Sequence, residues 1–430
     1  MGHPVALRLL QERPRVLWVA LVLFLGCLPS FGSSLLVPMD NAQTDHLRAY
    51  GLAYHALQQG SPVEWLLNYR GGSFLLPAAG SAESEARLLG VSVEPFTAAQ
   101  VAALRATMEA GNTEPILLEK APRIAVYCPP TAEPWDDAVR IALEYARIPY
   151  ETVWDADVLS GALERYDWLH LHHEDFTGQY GKFYVSFSRA PWYVEAQERS
   201  EAEAHALGFS KVSQLKGMVA LGIRHYVEQG GFVFAMCSAT DTIDIALSAL
   251  HTDIVAAVFD GDPPHDRCAE SLDFSAAFAF TGFGVITDPA VYEFSDIDTT
   301  PARTQIPREL DQFKLFEFSA RLDPVPCMLT QCHVAYVKGF MGQTTGFQRT
   351  RVKSDVVILA ETPNIGEAKY IHGNVGRGTF TFLGGHDPED YQHLVGDPPT
   401  VLDLARNSPG YRLILNNVLF PAARKQERKT

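Results

Sequence analysis

The sequence predicts an α/β domain with a parallel sheet, helices on both faces and two insertions. Short apolar strands alternate with amphipathic helices from residue 35 onward, which is typical of crossover connections between parallel strands. The runs Ile124–Tyr127 and Phe232–Met236 are apolar throughout, as expected when both faces of a sheet are buried. With 430 residues, 47% of them hydrophobic, the chain can bury a large core.

The amino terminus differs in kind from the rest of the chain. Three arginines precede the apolar run 16–26, and the small residues of 30–34 follow it. This order is typical of a secretory signal, and the run is shorter than the ~20 residues that a spanning helix needs. Residues 1–33 are therefore predicted to be a signal peptide or an anchor, with Cys27 as a candidate for lipidation. The mature protein is expected to be periplasmic or membrane-tethered, and to contact the membrane only through this segment.

Net charge and cysteine content argue against a nucleic-acid partner and against a disulfide scaffold. The net charge is −16, and no basic stripe is interleaved with aromatic residues, so nucleic-acid binding is not expected. Six cysteines without a Cys-x-x-Cys string do not form a disulfide scaffold. A small-molecule or cell-envelope substrate is the expected partner.

Two similar strand–helix–strand layouts suggest how the chain is divided. Residues 34–121 are predicted to form an N-terminal β-α-β subdomain, and residues 122–430 the main domain. The alternation breaks at about 176–213 and again at about 250–345, so both segments are predicted to be insertions.

Cys237 stands where a strand turns into a helix. It follows the apolar strand Phe232–Met236, and a helix is predicted to begin at Ser238. A cysteine on such an elbow is lifted above the sheet, and the helix N-terminus stabilises its thiolate. The small residues Ala235 and Ala239 suit a tight elbow. Cys237 is therefore a candidate nucleophile, and a buried inert thiol is the alternative.

A glycine-rich turn after the strand Gly378–Leu383 carries His386. Nucleophilic thiol chemistry needs a base, and a third group that orients the base. His386 fits the role of base, and Glu389 or Asp387 fits that of the orienting carboxylate. An ordinary turn is the alternative, because Gly-Gly and Asp-Pro also form turns.

An elbow cysteine followed late in the chain by His-Asp-Pro-Glu resembles the class I glutamine amidotransferase-like superfamily, whose fold is flavodoxin-like. The resemblance covers about residues 122–250 and 350–420. It implies hydrolysis of an amide through a thioester, with Cys237 as nucleophile, His386 as base and Glu389 as orienting group. Two features depart from the family pattern: alanines replace the usual glycines of the elbow, and an aspartate splits His-Pro-Glu.

Three strings, at residues 66–74, 168–179 and 384–396, resemble an uncharacterised group of exported bacterial proteins often labelled asparagine synthetase B. The motifs do not support that activity for this chain. The enzyme class needs a nucleophilic cysteine directly after the initiator methionine, where this chain has Gly2. It also needs a Ser-Gly-Gly-x-Asp-Ser loop for ATP, and the sequence contains none.

A third strand ends in a histidine-rich string at residues 170–175. His172, His173 and Asp175 are candidate ligands of a divalent metal, with further ligands expected from His386, Asp387 or His393. The spacing matches no standard zinc motif, so a polar strand end is the alternative.

Arg70, Gly71 and Gly72 close an early strand, and their backbone amides with the guanidinium could bind a carboxylate or phosphate. Together with Ser238 they are the predicted substrate-binding residues. A simple glycine turn is the alternative.

The sequence thus predicts an exported amidotransferase-like hydrolase that uses Cys237 and His386 on an amide or ester. A ligand-binding protein without turnover and a metal-dependent hydrolase are the alternatives. The sequence indicates no cofactor other than a candidate divalent metal.

Overall fold

A computed structural model describes residues 1–2, 33–78, 81–392 and 394–423. Most of the predicted export signal, including Cys27, lies outside the described residues, as does His393. Among the helices in the described ranges, none is both long enough and apolar enough to cross a membrane.

The N-terminal part forms a five-stranded antiparallel sheet. Its strands, in the spatial order β4-β1-β3-β2-β5, are β1 (Ser34–Val37), β2 (Val63–Leu67), β3 (Ser73–Pro77), β4 (Glu94–Phe96) and β5 (Glu114–Leu118). Both β1 and β2 pair antiparallel with β3. They therefore run in the same direction, as a β-α-β unit requires, but a reversed strand lies between them.

The rest of the chain forms a second sheet of ten strands. They are β6 (Ile124–Tyr127), β7 (Glu151–Val153), β8 (Trp168–Leu171), β9 (Phe232–Met236), β10 (Gln312–Leu315), β11 (Tyr336–Lys338), β12 (Phe347–Gln348), β13 (Val357–Thr362), β14 (Glu367–Val375) and β15 (Gly378–Leu383). Nine follow the order β11-β10-β13-β14-β15-β9-β8-β6-β7, and β12 pairs with β14. The strands β7, β6, β8, β9 and β15 are parallel, and the other five join by antiparallel pairing.

The predicted flavodoxin-like parallel sheet is therefore wrong, because the sheet is mixed and a separate antiparallel sheet precedes it. The reason lies in the connections. Only residues 376 and 377 separate β14 from β15, with Gly376 at φ 59°. So short a link joins antiparallel strands, whereas parallel neighbours need a crossover of a dozen residues or more. The predicted second insertion also contains β10 and β11, which belong to the sheet itself.

Thirteen helices in the described ranges cover the sheets and fill the connections. They are α1 (His46–Gln58), α2 (Ala82–Leu89), α3 (Ala98–Ala110), α4 (Ala138–Tyr145), α5 (Asp155–Leu159), α6 (Tyr184–Phe187), α7 (Pro191–Ala206), α8 (Val212–Glu228), α9 (Ala239–Ser248), α10 (Ala257–Asp260), α11 (Thr300–Arg303), α12 (Pro324–Leu329) and α13 (Pro409–Leu419). Asp137 caps α4 by accepting from the N–H groups of Val139 and Arg140, at 2.7 and 3.1 Å.

Alternate side chains of β9 enter two different cores. Phe234 and Met236 pack with residues of α1, α4 and α13, whereas Val233 and Ala235 pack with residues of α8 and α9. This period of two places a hydrophobic core on each face of the ten-stranded sheet. Because β6, β8, β9 and β15 are parallel neighbours, their carboxyl ends lie side by side at one edge.

Candidate functional site

The carboxyl edge of the ten-stranded sheet gathers histidines and carboxylates from separate parts of the chain. The loop after β6 carries Asp137, the segment after β8 carries His172 and His173, and the turn after β15 carries His386. Groups of buried histidine and aspartate at this edge could hold a metal ion.

Three imidazoles, those of His172, His173 and His386, form what we call the outer set. One nitrogen from each ring lies within 4.8 Å of the other two. The rings of His173 and His386 are nearly parallel, with centroids 5.6 Å apart, and the ring of His172 meets that of His386 edge-on at 4.4 Å. His173 is about one-third exposed, so the outer set reaches the surface.

The protonation of His172 suits a ligand. Its side chain is buried, and neither ring nitrogen has a hydrogen-bond partner among the described residues. Burial lowers the pKa of His172 to about 3, although the charge of Asp137 opposes this change. The ring is therefore neutral near neutral pH, which is the form that binds metals.

A second group, the deep set, consists of Asp137, His170 and His172. The Asp137 Oδ1 atom lies 3.4 Å from Nε2 of His170 and 3.7 Å from Nδ1 of His172. Burial alone would raise the pKa of Asp137, but the two imidazoles and the N–H of Arg140 hold it below its usual range. The deep set therefore contains a buried, ionised carboxylate.

The start of α9 holds the histidine segment in place. The N–H of Ala239 donates to the carbonyl of His172 at 3.0 Å, and the Ser238 hydroxyl donates to the carbonyl of His173 at 2.9 Å. Thr242 donates to the carbonyl of Glu174 at 3.2 Å. The predicted substrate-binding Ser238 thus fixes the backbone that carries the histidines.

The Gly384-Gly385 pair is required by crowding at the end of β15. A Cβ atom on Gly384 would lie 2.4 Å from the carbonyl oxygen of Thr345. Gly385 has a φ of 94°, and a Cβ there would lie 2.4 Å from the ring of Phe340. Close packing of the 340–345 loop therefore positions His386.

Cys237 occupies an elbow with a φ of 51°, an unusual value for a residue with a side chain. The parallel pairing of β9 and β15 brings it beside Gly385. Burial raises the pKa of the Cys237 thiol to about 11, against the opposing N–H groups of Gln343, Ser238 and Thr344. The thiol therefore keeps its proton at neutral pH. The helix N-terminus was expected to stabilise the thiolate of Cys237. This effect is reduced because the first N–H of α9, that of Ala239, donates to the carbonyl oxygen of His172 instead.

The two carboxylates that were predicted to orient His386 have other contacts. Asp387 accepts from the Tyr411 hydroxyl at 2.9 Å and from the N–H of Glu389 at 2.9 Å. Glu389 accepts from the hydroxyl of Ser408, which caps α13. Their hydrogen bonds therefore hold the 386–389 turn against α13.

Asp175, a predicted metal ligand, organises the following loop. Its carboxylate accepts from the N–H and hydroxyl of Thr177, from the N–H of Gln179 at 2.8 Å and from that of Gly181 at 3.1 Å. It belongs to neither the outer nor the deep set.

Arg70, Gly71 and Gly72 lie in the five-stranded sheet, between β2 and β3. The Arg70 guanidinium bonds to Asp40 at 2.6 Å and to Glu94 at 2.9 Å. These carboxylates occupy the donors that were predicted to bind an anionic substrate.

Sequence reasoning placed His170 in the histidine-rich string at residues 170–175 but did not name Asp136 or Asp137. The two aspartates follow β6 at the same edge, and Asp136 lies 3.7 Å from His173. The signal was present, because sites form at the carboxyl ends of parallel strands. Eight residues, 128–135, separate β6 from Asp136, and nothing in them indicates that the chain returns to the edge.

Comparisons with known proteins leave the family open. No family model and no curated protein matches the chain. Similar solved structures include two cytoplasmic proteins of Salmonella typhimurium, with TM-scores of 0.35 and 0.33 and identities of 10% and 12%, each over 70% of this chain and 100% of the other. A GH42 β-galactosidase gives a TM-score of 0.27 at 9% identity, over 62% of this chain and 28% of the other. These likenesses establish neither fold nor function.

Proposed function

We propose that the protein is a hydrolase of an ester or amide that uses a divalent metal ion held by His172, His173 and His386. The observation that carries the proposal is the convergence of three imidazoles, one of them buried with both ring nitrogens unpartnered among the described residues. Three protein ligands leave a coordination position open, which is typical of catalytic rather than structural zinc sites.

The ion would polarise the substrate carbonyl and lower the pKa of water towards neutrality. His172 and His386, which are buried, and the partly exposed His173 would hold the ion, and a substrate would enter on the side of His173. The carboxylate of Asp136 lies 3.7 Å from Nε2 of His173. In the reaction, the hydroxyl of water adds to the carbonyl carbon, the bond to the leaving group breaks, and a proton passes to that group.

A second candidate is a thiol hydrolase that uses Cys237 and His386. The positive φ of Cys237 favours it, because nucleophiles on strand-to-helix elbows adopt strained backbone conformations. The raised pKa of the thiol opposes it, since the nucleophile must be a thiolate.

Metal dependence separates these candidates. The full chain, purified without a histidine tag, is assayed with p-nitrophenyl acetate before and after removal of metal with 1,10-phenanthroline, and again after addition of ZnCl₂. We expect the hydrolase activity to be lost after treatment with the chelator and to be regained when ZnCl₂ is added. His386→Gln should lower it by more than about 100-fold, the upper end of what losing a mere orienting partner costs.

The matched control is His225→Gln on the exposed face of α8, which should change nothing. Cys237→Ser should retain activity. If activity resists the chelator and disappears in Cys237→Ser, the thiol hydrolase is correct. If neither change matters or no turnover occurs, the metal-hydrolase proposal fails.

A further inference from the structure

The deep set combines a constrained tautomer with a buried carboxylate. The Nδ1 atom of His170 lies 3.0 Å from the carbonyl oxygen of Phe234. A carbonyl only accepts, so Nδ1 carries a hydrogen, and in the neutral ring Nε2 presents a lone pair. That lone pair faces Asp137 Oδ1 at 3.4 Å. Two acceptors facing each other in a buried place need a positive charge between them.

The distances favour a metal ion in that place. An N–H···O hydrogen bond is about 2.9 Å long, shorter than the 3.4 and 3.7 Å by which Asp137 Oδ1 is separated from His170 and His172. Metal–ligand distances of about 2.0–2.2 Å in a tetrahedral site separate two ligands of the same ion by about 3.3–3.6 Å. The deep set is therefore spaced for coordination.

A proton on Nε2 of His170, in place of a metal ion, would account for fewer of the unpartnered atoms. It would satisfy Nε2 of His170, while both nitrogens of His172 would still lack partners among the described residues. No lysine or arginine in the described part of the chain lies within 4 Å of the Asp137 carboxylate. Asp137 is itself held rigidly by the two N–H groups that it caps on α4.

We infer that the protein binds a second metal ion, coordinated by Asp137 Oδ1, His170 Nε2 and His172 Nδ1. His172 then serves both sets, with one ring nitrogen in each, and its Nδ1 atom is the one that faces Asp137. Binding both ions requires this ring to release its remaining proton to solvent. Two imidazoles and one carboxylate suit Zn²⁺ or another late first-row ion better than Mg²⁺ or Ca²⁺.

The deep site goes beyond the proposed hydrolase, and only His172 is common to both. The deep ion is enclosed, since its three ligands are almost fully buried. Its role is to neutralise Asp137 and to fix the ring of His172 for the outer site. The deep ion could therefore be present in a protein with no hydrolase activity.

Metal content tests the inference directly on the wild-type chain. The full chain without a histidine tag is stripped with a chelator, reloaded with ZnCl₂ and dialysed, and zinc per chain is measured by mass spectrometry. We expect about two ions per chain. A titration with Co²⁺, followed by its visible absorption, should show two binding steps. About one zinc per chain that persists in Asp137→Asn and His170→Gln overturns the inference, because the single ion then does not use the deep set.

Variants assign the ions to the two sets. Asp137→Asn keeps a residue that caps helices well, and it should retain about one zinc. His170→Gln should also retain about one, as should His386→Gln, which removes an outer ligand instead. His172→Gln should lose both. His225→Gln, on an exposed helix face, should keep both.

Thermal unfolding of each variant shows whether it is folded. If Asp137→Asn and His170→Gln are folded and keep the wild-type zinc content, the deep site is wrong. A chain that holds about two zinc ions but hydrolyses nothing would reject the proposed function and leave the deep site intact.

Discussion

The backbone N–H of Cys237 donates a hydrogen bond of 3.2 Å to the carbonyl oxygen of Gly385, one residue before His386. The elbow after β9 and the turn after β15 are thereby tied together at the carboxyl edge. The thiol of Cys237 nevertheless stays protonated, because burial raises its pKa to about 11. Adjacent backbones alone do not make a reactive pair.

Cys237 should react slowly with iodoacetamide near pH 7. Only the thiolate reacts, and with a pKa of about 11 the labelling rate should rise roughly tenfold per pH unit between pH 7 and 10. Mass spectrometry of tryptic peptides follows residue 237 alone. The urea-unfolded chain is the control and should label quickly. Fast, selective labelling of the folded protein at pH 7 would instead support the thiol hydrolase.

Asp241 should make the protein less stable as the pH rises. Burial raises its pKa to about 7, against the hydrogen bonds from Thr344 and Ser295, and the charge of Asp175 adds to the rise. The folded state therefore holds a proton that the unfolded state releases near pH 4. This contribution to stability is complete below about pH 4 and is lost as the pH rises to about 7.

The test is urea unfolding at pH 5 and pH 8. Asp241→Asn should show a smaller difference between the two values than the wild type, because its side chain does not titrate. Asp298, Asp175 and Lys182 also face this region, and they remain in both proteins. An unchanged pH dependence would show that Asp241 titrates normally.

Arg303 should be essential for stability. Its guanidinium is fully buried and pairs with Asp311 and Glu367, both also buried. Arg303→Gln leaves two carboxylates without their cation, and breaking such a pair costs about 3–5 kcal/mol. Arg349→Gln breaks the more exposed pair with Glu361 and should cost less than about 1 kcal/mol. Similar free energies of unfolding for the two variants would contradict the buried network.

Gly342 should control the outer set through its backbone. A Cβ atom there would lie 2.8 Å from the Cα of Gly385 and 2.8 Å from the nitrogen of His386. Gly342→Ala therefore pushes His386 away, and zinc affinity of the outer set should fall by about 10-fold or more. Gly111→Ala is the control, since its nearest neighbour would be 3.7 Å away. Equal zinc affinity in both variants would mean that the 340–345 loop shifts to accommodate the new methyl group and that His386 does not move.

Asp175→Asn and Asp137→Asn should differ in their effect on zinc content. Asp175→Asn removes an acceptor of the N–H groups of Gln179 and Gly181, so the free energy of unfolding should fall by about 1–3 kcal/mol with zinc content unchanged. Asp137→Asn should lower zinc content. Zinc analysis and urea unfolding of both variants check this contrast. Loss of zinc in Asp175→Asn would show that Asp175 is a metal ligand after all.

Much of the candidate site could be predicted from sequence, and less of the fold. Residues such as His172, His386 and Cys237 each follow a strand, and local patterns locate strand ends. The direction of β14 could not be predicted in this way, because no strand was recognised between residues 361 and 377. Once β14 is a strand, its two-residue link to β15 requires antiparallel pairing.

The sequence by itself determined where strands such as β8, β9 and β15 end and which polar residues follow them, because hydrophobic periodicity and turn residues act locally. Only the tertiary structure decided which of those residues meet. Asp137 joins His170 and His172 because β6 and β8 are neighbours, while Asp175 turns into its own loop and Arg70 is held in another sheet. Proximity across a sheet depends on strand order, and strand order depends on the packing of the whole chain.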